Sequence, residues 1–157
     1  MDNKTTDTLT LAIERVIDAP SAAVWRCWTE PSLLMQWYCP RPWQVTQARM
    51  DVRPGGSFFA LMQGPEGEAI PVPGVYLAVE PGRRLVFTDA FTDAWRPSGK
   101  AFMVGEVLLE DTQDGKTRYR AMAHHWNAQD RDQHLQMGFE AGWNAAADQL
   151  EALARSL

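Results

Sequence analysis

The chain has 157 residues, 45% of them hydrophobic, with 15 Lys and Arg against 20 Asp and Glu and a formal net charge of −5. That length fits one domain, and that apolar fraction excludes a disordered chain. The acidic balance argues against a nucleic-acid binder or a polybasic membrane anchor, and no apolar run approaches the ~20 residues of a membrane span.

Residues 1–8 are polar and read as a disordered tail. They lack the apolar core of a signal peptide, so the expected compartment is the cytoplasm. Residues 9–157 read as one domain. Leu9, Leu11, Ile13 and Ile17 alternate with Thr10, Ala12 and Glu14, the pattern of a half-buried strand over 9–17. Asp18-Ala19-Pro20 opens a short helix with Pro in its first turn. That helix carries Val24 and Trp28 on one face and ends near Thr29. Thr29-Glu30-Pro31 opens a second short helix that presents Leu33 or Leu34 with Trp37. Pro40 and Pro42 forbid its continuation.

From residue 43 to 125 turn signals recur, among them Pro54-Gly55-Gly56, Pro81-Gly82 and Asp114-Gly115. The runs between them predict strands at 44–52, 56–63, 72–80, 83–89, 101–111 and 116–125, an antiparallel meander. In the last run Arg118 and Arg120 point one way, and Tyr119, Ala121, Ala123 and His125 point toward whatever covers the sheet.

Asn127 caps a final helix, with Asp130 three positions on. Leu135, Phe139, Trp143, Ala146, Leu150, Leu153 and Leu157 form one apolar stripe, which predicts a helix to about Ser156, roughly 40 Å long. Gly138 and Gly142 fall on a neighbouring face of it, either for close packing or to leave room for a ligand beside Trp143. Only this helix is long enough to cover the sheet. The expected fold is therefore α+β, a helix-grip: a curved antiparallel sheet of about seven strands wrapped around a long C-terminal helix, with two short helices after the first strand. Such closure leaves an apolar space between sheet and helix.

The order strand–helix–helix–meander–long helix resembles the START-like, or SRPBCC, superfamily of ligand-binding domains. The motifs resemble the branch named for the activator of the 90-kDa heat-shock protein's ATPase. They are Arg15 to Pro20, Val24 to Pro31, Leu34 to Trp37, Pro54 to Phe58, Gly74-Val75-Tyr76 and Arg84 to Thr88, then His134, Met137-Gly138-Phe139 and Gly142-Trp143. They run in order through nearly all of residues 9–157. The resemblance implies a hydrophobic pocket and a small-molecule or lipid ligand, and no catalytic signature shared across the branch. The eukaryotic activators carry an additional N-terminal domain for chaperone contact, whereas eight residues precede the first strand here. Binding of a small hydrophobic or aromatic molecule is thus the expected function. A co-chaperone-like interaction protein, or a cyclase- or hydratase-like enzyme on the same fold, are the alternatives. Many such domains pair through exposed sheet or helix surfaces, so a homodimer is a candidate assembly.

The expected cavity wall comprises Trp37, Trp43, Phe58, Met62, Tyr76, Phe87, Tyr119, His125, Phe139 and Trp143. Phe58, Ala60 and Met62 alternate with Phe59 and Leu61, so one set faces inward. Phe58 is chosen because an aromatic two places after the double glycine matches the family pattern. Alternation from Tyr119 places His125 inward, as the polar end of the pocket, with His134 and Tyr119 nearby. Trp25, Trp28, Trp37, Trp43 and Trp126 read as core, although the proline-flanked loops of Trp43 and Trp95 also suit a pocket rim.

No catalytic residue, cofactor or metal is expected. There is no Gly-x-Ser-x-Gly elbow, Walker loop, dinucleotide fingerprint or His-Glu-x-x-His. His124 and His125 are consecutive on a strand and point to opposite faces, and His125 with His134 lacks a third metal ligand. Cys27 and Cys39 read as reduced thiols, neither a disulfide nor a nucleophile with a fixed partner. Glu106 and Glu110 share a strand face and Asp111 lies beside a turn; all three read as solvated.

Overall fold

The computed structural model describes residues 9–157; the expected tail at 1–8 lies outside the described residues. The chain runs β1 (Thr10–Ile17), α1 (Ser21–Thr29), α2 (Pro31–Leu34), β2 (Gln44–Met50), β3 (Ser57–Gln63), β4 (Ala69–Glu80) and β5 (Arg84–Thr88). A two-strand flap follows, β6 (Phe91–Thr92) and β7 (Arg96–Pro97), then β8 (Met103–Asp111), β9 (Thr117–His125), α3 (Ala128–Gln136) and α4 (Phe139–Arg155). Seven strands form one antiparallel sheet in the order β1-β9-β8-β5-β4-β3-β2. This is the α+β helix-grip expected from the sequence, with the meander closed by β1 returning to pair with β9. The flap was not read from the sequence, because two-residue strands carry no periodicity.

Register assigns the concave face. Tyr76 on β4 pairs with Phe87 on β5, Phe87 with Gly105 on β8, Gly105 with Ala123 on β9, and Ala123 with Leu11 on β1. A Cβ on Gly105 would collide with the Phe87 ring, so glycine there lets that ring lie flat on the sheet. On β9 Tyr119, Ala121, Ala123 and His125 are all buried, as alternation predicted. On β3 Phe58 and Ala60 are buried, while Phe59 lies outside beneath the Arg49 guanidinium, 4.7 Å from its ring centroid. The Phe58 register is the one chosen.

The helices differ in detail from expectation. Pro20 is the N-cap of α1 rather than a residue of its first turn, whereas Pro31 does sit at the start of α2. Val24, Cys27 and Trp28 of α1 face the core together with Leu34 and Trp37. The single helix expected from Asn127 to Ser156 is divided at Gly138, whose φ of 89° no L side chain adopts readily. Asn127 does cap α3, its Oδ1 accepting from the Asp130 N–H at 2.8 Å. Gly138 and Gly142 therefore do not share a helix face. Leu135, 51% exposed, and the exposed Leu157 lie outside the buried stripe, which runs through Phe139, Ala146, Ala147, Leu150 and Ala154 of α4.

α4 packs across β1 and α1. Arg15, on the concave side of β1, reaches it with bonds to the Asn144 carbonyl (3.2 Å), Asp148 (2.7 Å) and Glu151 (3.0 Å). Cys27 and Cys39 are free and buried. Among the described residues no helix is long and apolar enough to cross a membrane.

Candidate functional site

The ten residues expected to line one cavity fall into three groups. The first is an aromatic interior. Phe58 packs against Tyr76 edge-on at 6.0 Å and stacks with Phe87 at 6.3 Å; Phe87 meets Trp28 at 5.6 Å, and Trp28 meets Trp37 at 4.8 Å. Tyr38 touches Trp28, Trp37 and Phe58. It went unread in the sequence because its tight turn after α2 has no period to follow. The indole N–H groups are satisfied: Trp37 donates to the Cys27 carbonyl at 2.9 Å and Trp28 to the Tyr119 hydroxyl at 3.2 Å. Tyr119 thus belongs to this group and not to the histidines. The Tyr76 hydroxyl is buried without a hydrogen-bond partner among the described residues. Tyr38, Phe58, Phe87, Thr88, Asp89 and Met103 border a remaining space of about 50 Å³. Burial raises the Tyr38, Tyr76 and Tyr119 phenols and pushes the Cys27 thiol up to about 11, so these four groups stay neutral, and the one acidic side chain at the border, Asp89, accepts the Phe102 and Met103 N–H groups.

The second group lies where β9 leads into α3. His125 Nδ1 is 2.9 Å from the Leu9 carbonyl and its Nε2 is 2.9 Å from His134 Nδ1. A carbonyl only accepts, so His125 carries its hydrogen on Nδ1. Its Nε2 lone pair then accepts from His134 Nδ1–H, and a neutral pair leaves the lone pair of His134 on Nε2. Phe102, Phe139 and Trp143 surround His134 at 5.1 to 5.8 Å. Burial, reinforced by His125, lowers His134 to about 4. The inward His125 and its neighbour His134 are where alternation and helical rise placed them. The signal for the Phe102 contact was absent from the sequence, since that residue sits at the neck of the flap, where its N–H donates to Asp89.

On the outer face His124 bonds Glu106 at 2.9 Å and Thr10 at 2.8 Å, and Glu106 also accepts from Arg84 at 2.8 Å. Burial raises the Glu106 carboxyl, but the bonds from Arg84 and His124 outweigh it and hold it below its ordinary value. Glu106 is therefore half-buried and paired, not solvated as expected. Among the described residues no group of three or more His, Cys, Asp or Glu is placed to hold a metal.

The third group sits outside the interior. Trp43 borders a cleft of about 500 Å³ with Met35, Cys39, Arg41, Pro42 and Gln149. Met62 lies nearby, paired in register with Val45. Gln149 of α4 fixes the loop beneath: its Nε2 donates to the Trp37 and Cys39 carbonyls, at 3.0 and 2.9 Å, and its Oε1 accepts the Arg41 N–H at 3.1 Å. Trp95 covers Gly55, with backbone φ of 57°, while Trp126, expected as core, is 51% exposed at the end of β9.

Comparison with known proteins bears on fold and kinship. A family model described as "Activator of Hsp90 ATPase homolog 1-like protein" matches residues 18–155. A crystal structure of a protein from Nitrosomonas europaea is 40% identical, with a TM-score of 0.91 over 95% of this chain and 96% of that one. A protein from Mycobacterium smegmatis is 29% identical, with a TM-score of 0.78 over 94% and 91%. The AHSA1-like protein from Aeromonas hydrophila, 22% identical with a TM-score of 0.71 over 94% and 92%, shares the fold. No curated protein matches the sequence.

Proposed function

The chain belongs to the Activator of Hsp90 ATPase homolog 1-like family, and from that premise we propose that it binds a small apolar or aromatic molecule between the sheet and α4. The observation that carries this reading is the Tyr76 hydroxyl, in a residue only 1% exposed and without a partner among the described residues. A buried hydroxyl left unpaired costs about 1–3 kcal/mol. A ligand that offers one acceptor from an aromatic body removes that cost and buries its own apolar surface at about 25 cal/mol per Å².

The space of about 50 Å³ beside Phe58 and Phe87 is smaller than such a ligand and is bordered by neither Tyr76 nor α4, so reaching the Tyr76 hydroxyl and the helix requires a wall to move. Tyr38 is the wall suited to it: it is only half-buried, and its hydroxyl bonds to nothing among the described residues. The polar end at His125 and His134 would orient a second group of a longer ligand. No reaction is assigned.

Titration with 2-acetonaphthone, a planar ketone, against naphthalene tests the reading. The ketone is expected to bind more tightly and to shift the indole N–H signals of Trp28 and Trp37 in the NMR spectrum. Tyr76→Phe should weaken the ketone by about fivefold, the worth of one neutral hydrogen bond, and leave naphthalene unchanged. Equal affinity of the two probes for the unaltered chain would overturn it.

A further inference from the structure

We infer that the cleft beside Trp43 is a second binding site, for a planar aromatic anion such as an aromatic carboxylate. It is separate from the interior space, and the inference does not depend on the interior being occupied. Charge is the first reason. In a chain of net charge −5, no Asp or Glu lines this cleft, whose walls carry one guanidinium, that of Arg41, and the amides of Gln36, Gln44 and Gln149.

Arg41, like Arg49, Arg96 and Arg120, has no carboxylate partner among the described residues, and of these four it alone borders the cleft. Arg15, Arg26, Arg84 and Arg155 are each paired with a carboxylate. The Arg41 side chain makes no ion pair or hydrogen bond among the described residues, and neither does the Gln44 carboxamide. A guanidinium fork and a free amide donor are what a carboxylate accepts from.

Shape supplies the second reason. Trp43 is half-buried, and the edge of its indole is backed by Gly64, where an added Cβ would come within 2.9 Å of Trp43 Cζ2 and would also collide with the Glu68 carboxylate; that carboxylate flanks the ring edge outside the cleft lining and accepts the Glu66 N–H at 2.9 Å. The ring is thus braced on one side, with Met35 and Pro42 adding apolar wall. The three bonds from Gln149 hold the backbone at 37–41, so Arg41 and Trp43 project from a fixed loop. A cleft of about 500 Å³ falls in the ordinary size range of small-molecule sites.

The test is titration of the whole chain with 2-naphthoate and, separately, with its neutral counterpart 2-naphthamide, read by NMR of the seven indole N–H signals. Naphthoate is expected to move the Trp43 signal and to bind more weakly as salt rises. Arg41→Gln, at an exposed position, should weaken naphthoate about tenfold and barely change naphthamide. Arg41→Lys should fall between the two, since the ammonium keeps charge and loses the fork. Three outcomes would overturn the inference: naphthoate and naphthamide binding equally well, Arg41→Gln leaving naphthoate unchanged, or naphthoate moving the Trp28 and Trp37 signals instead of Trp43. The last would place naphthoate in the interior and leave that reading intact, so the two proposals fail separately.

Discussion

Two clusters of rings share the concave face and are held by different forces. The interior cluster of Trp28, Trp37, Tyr38, Phe58, Tyr76 and Phe87 is uncharged over the whole ordinary pH range, and its indole N–H groups are bonded within the core. The cluster at the α3–α4 joint is built around two imidazoles, His125 and His134, which Phe102, Phe139 and Trp143 cover. The first holds by buried area and contact, which acid does not touch. The second holds only while the count of protons suits its single shared hydrogen bond. The molecule thus puts an acid-indifferent packing core next to an acid-sensitive joint between its last two helices.

The largest expected effect breaks the first cluster. Trp28→Ala should cost about 3–5 kcal/mol, because it opens a cavity beneath Phe87 and also takes the donor from the buried Tyr119 hydroxyl. Urea denaturation at neutral pH measures it; a loss under about 1 kcal/mol would show that this cluster is not where the fold's stability resides.

The second effect separates the clusters by pH. The folded protein lowers His134 to about 4 from an ordinary 6.5, so between those values the unfolded chain binds more protons. Stability contributed by the neutral ring is present above pH 6.5, is lost as pH falls, and stops declining near pH 4. With screening by nearby solvent the loss comes to about 2 kcal/mol. Melts across that window check it, and His134→Phe should flatten the slope there. A wild-type slope that survives the substitution unchanged would assign it to other groups.

The smallest effects come from two glycines four residues apart. Gly138→Ala forces an L side chain to φ 89° and should cost about 1 kcal/mol, although an added Cβ would meet no atom within 4 Å. Gly142 lies inside α4 with equally open space, so Gly142→Ala should gain about 0.5–1 kcal/mol. Opposite signs in thermal melts would sharpen the view that only the first glycine is required by the backbone.

The sheet was legible because its residues alternate and its turns carry Gly and Pro: Tyr119 through His125 fell on one face, while on β3 alternation left two registers open and the family resemblance chose Phe58 inward. The helix break was not. Leu135 continues the four-residue spacing of Phe139 and Trp143, so the stripe looked unbroken. Yet glycine after Leu135-Gln136-Met137 is also a helix stop, and here the Gly138 N–H bonds the Leu135 carbonyl at 3.1 Å. Periodicity sees spacing and not backbone handedness, and the two disagreed at that residue. The site was legible residue by residue and not as one place. Alternation told that Tyr119 and His125 faced inward, but it has no measure of position along the curved sheet. It therefore pooled Trp43 with residues that the fold sets in other groups. Tyr38 and Phe102 sit in a turn and a neck, where no pattern marks a contact.

The clasp of Arg15 on α4 has a bearing on how the chain is made. Among the described strands β1 pairs only with β9, a hundred residues or more downstream, as the Thr10–His124 bond spans 114 positions. Its concave face is covered by a helix that emerges later still. Contacts so distant along the chain form slowly. During synthesis from the N-terminus, a nascent chain that has not reached Thr117 displays Leu11, Ile13 and Ile17 on a strand with neither its neighbour nor its cover yet made, the situation in which a chaperone has most to shield.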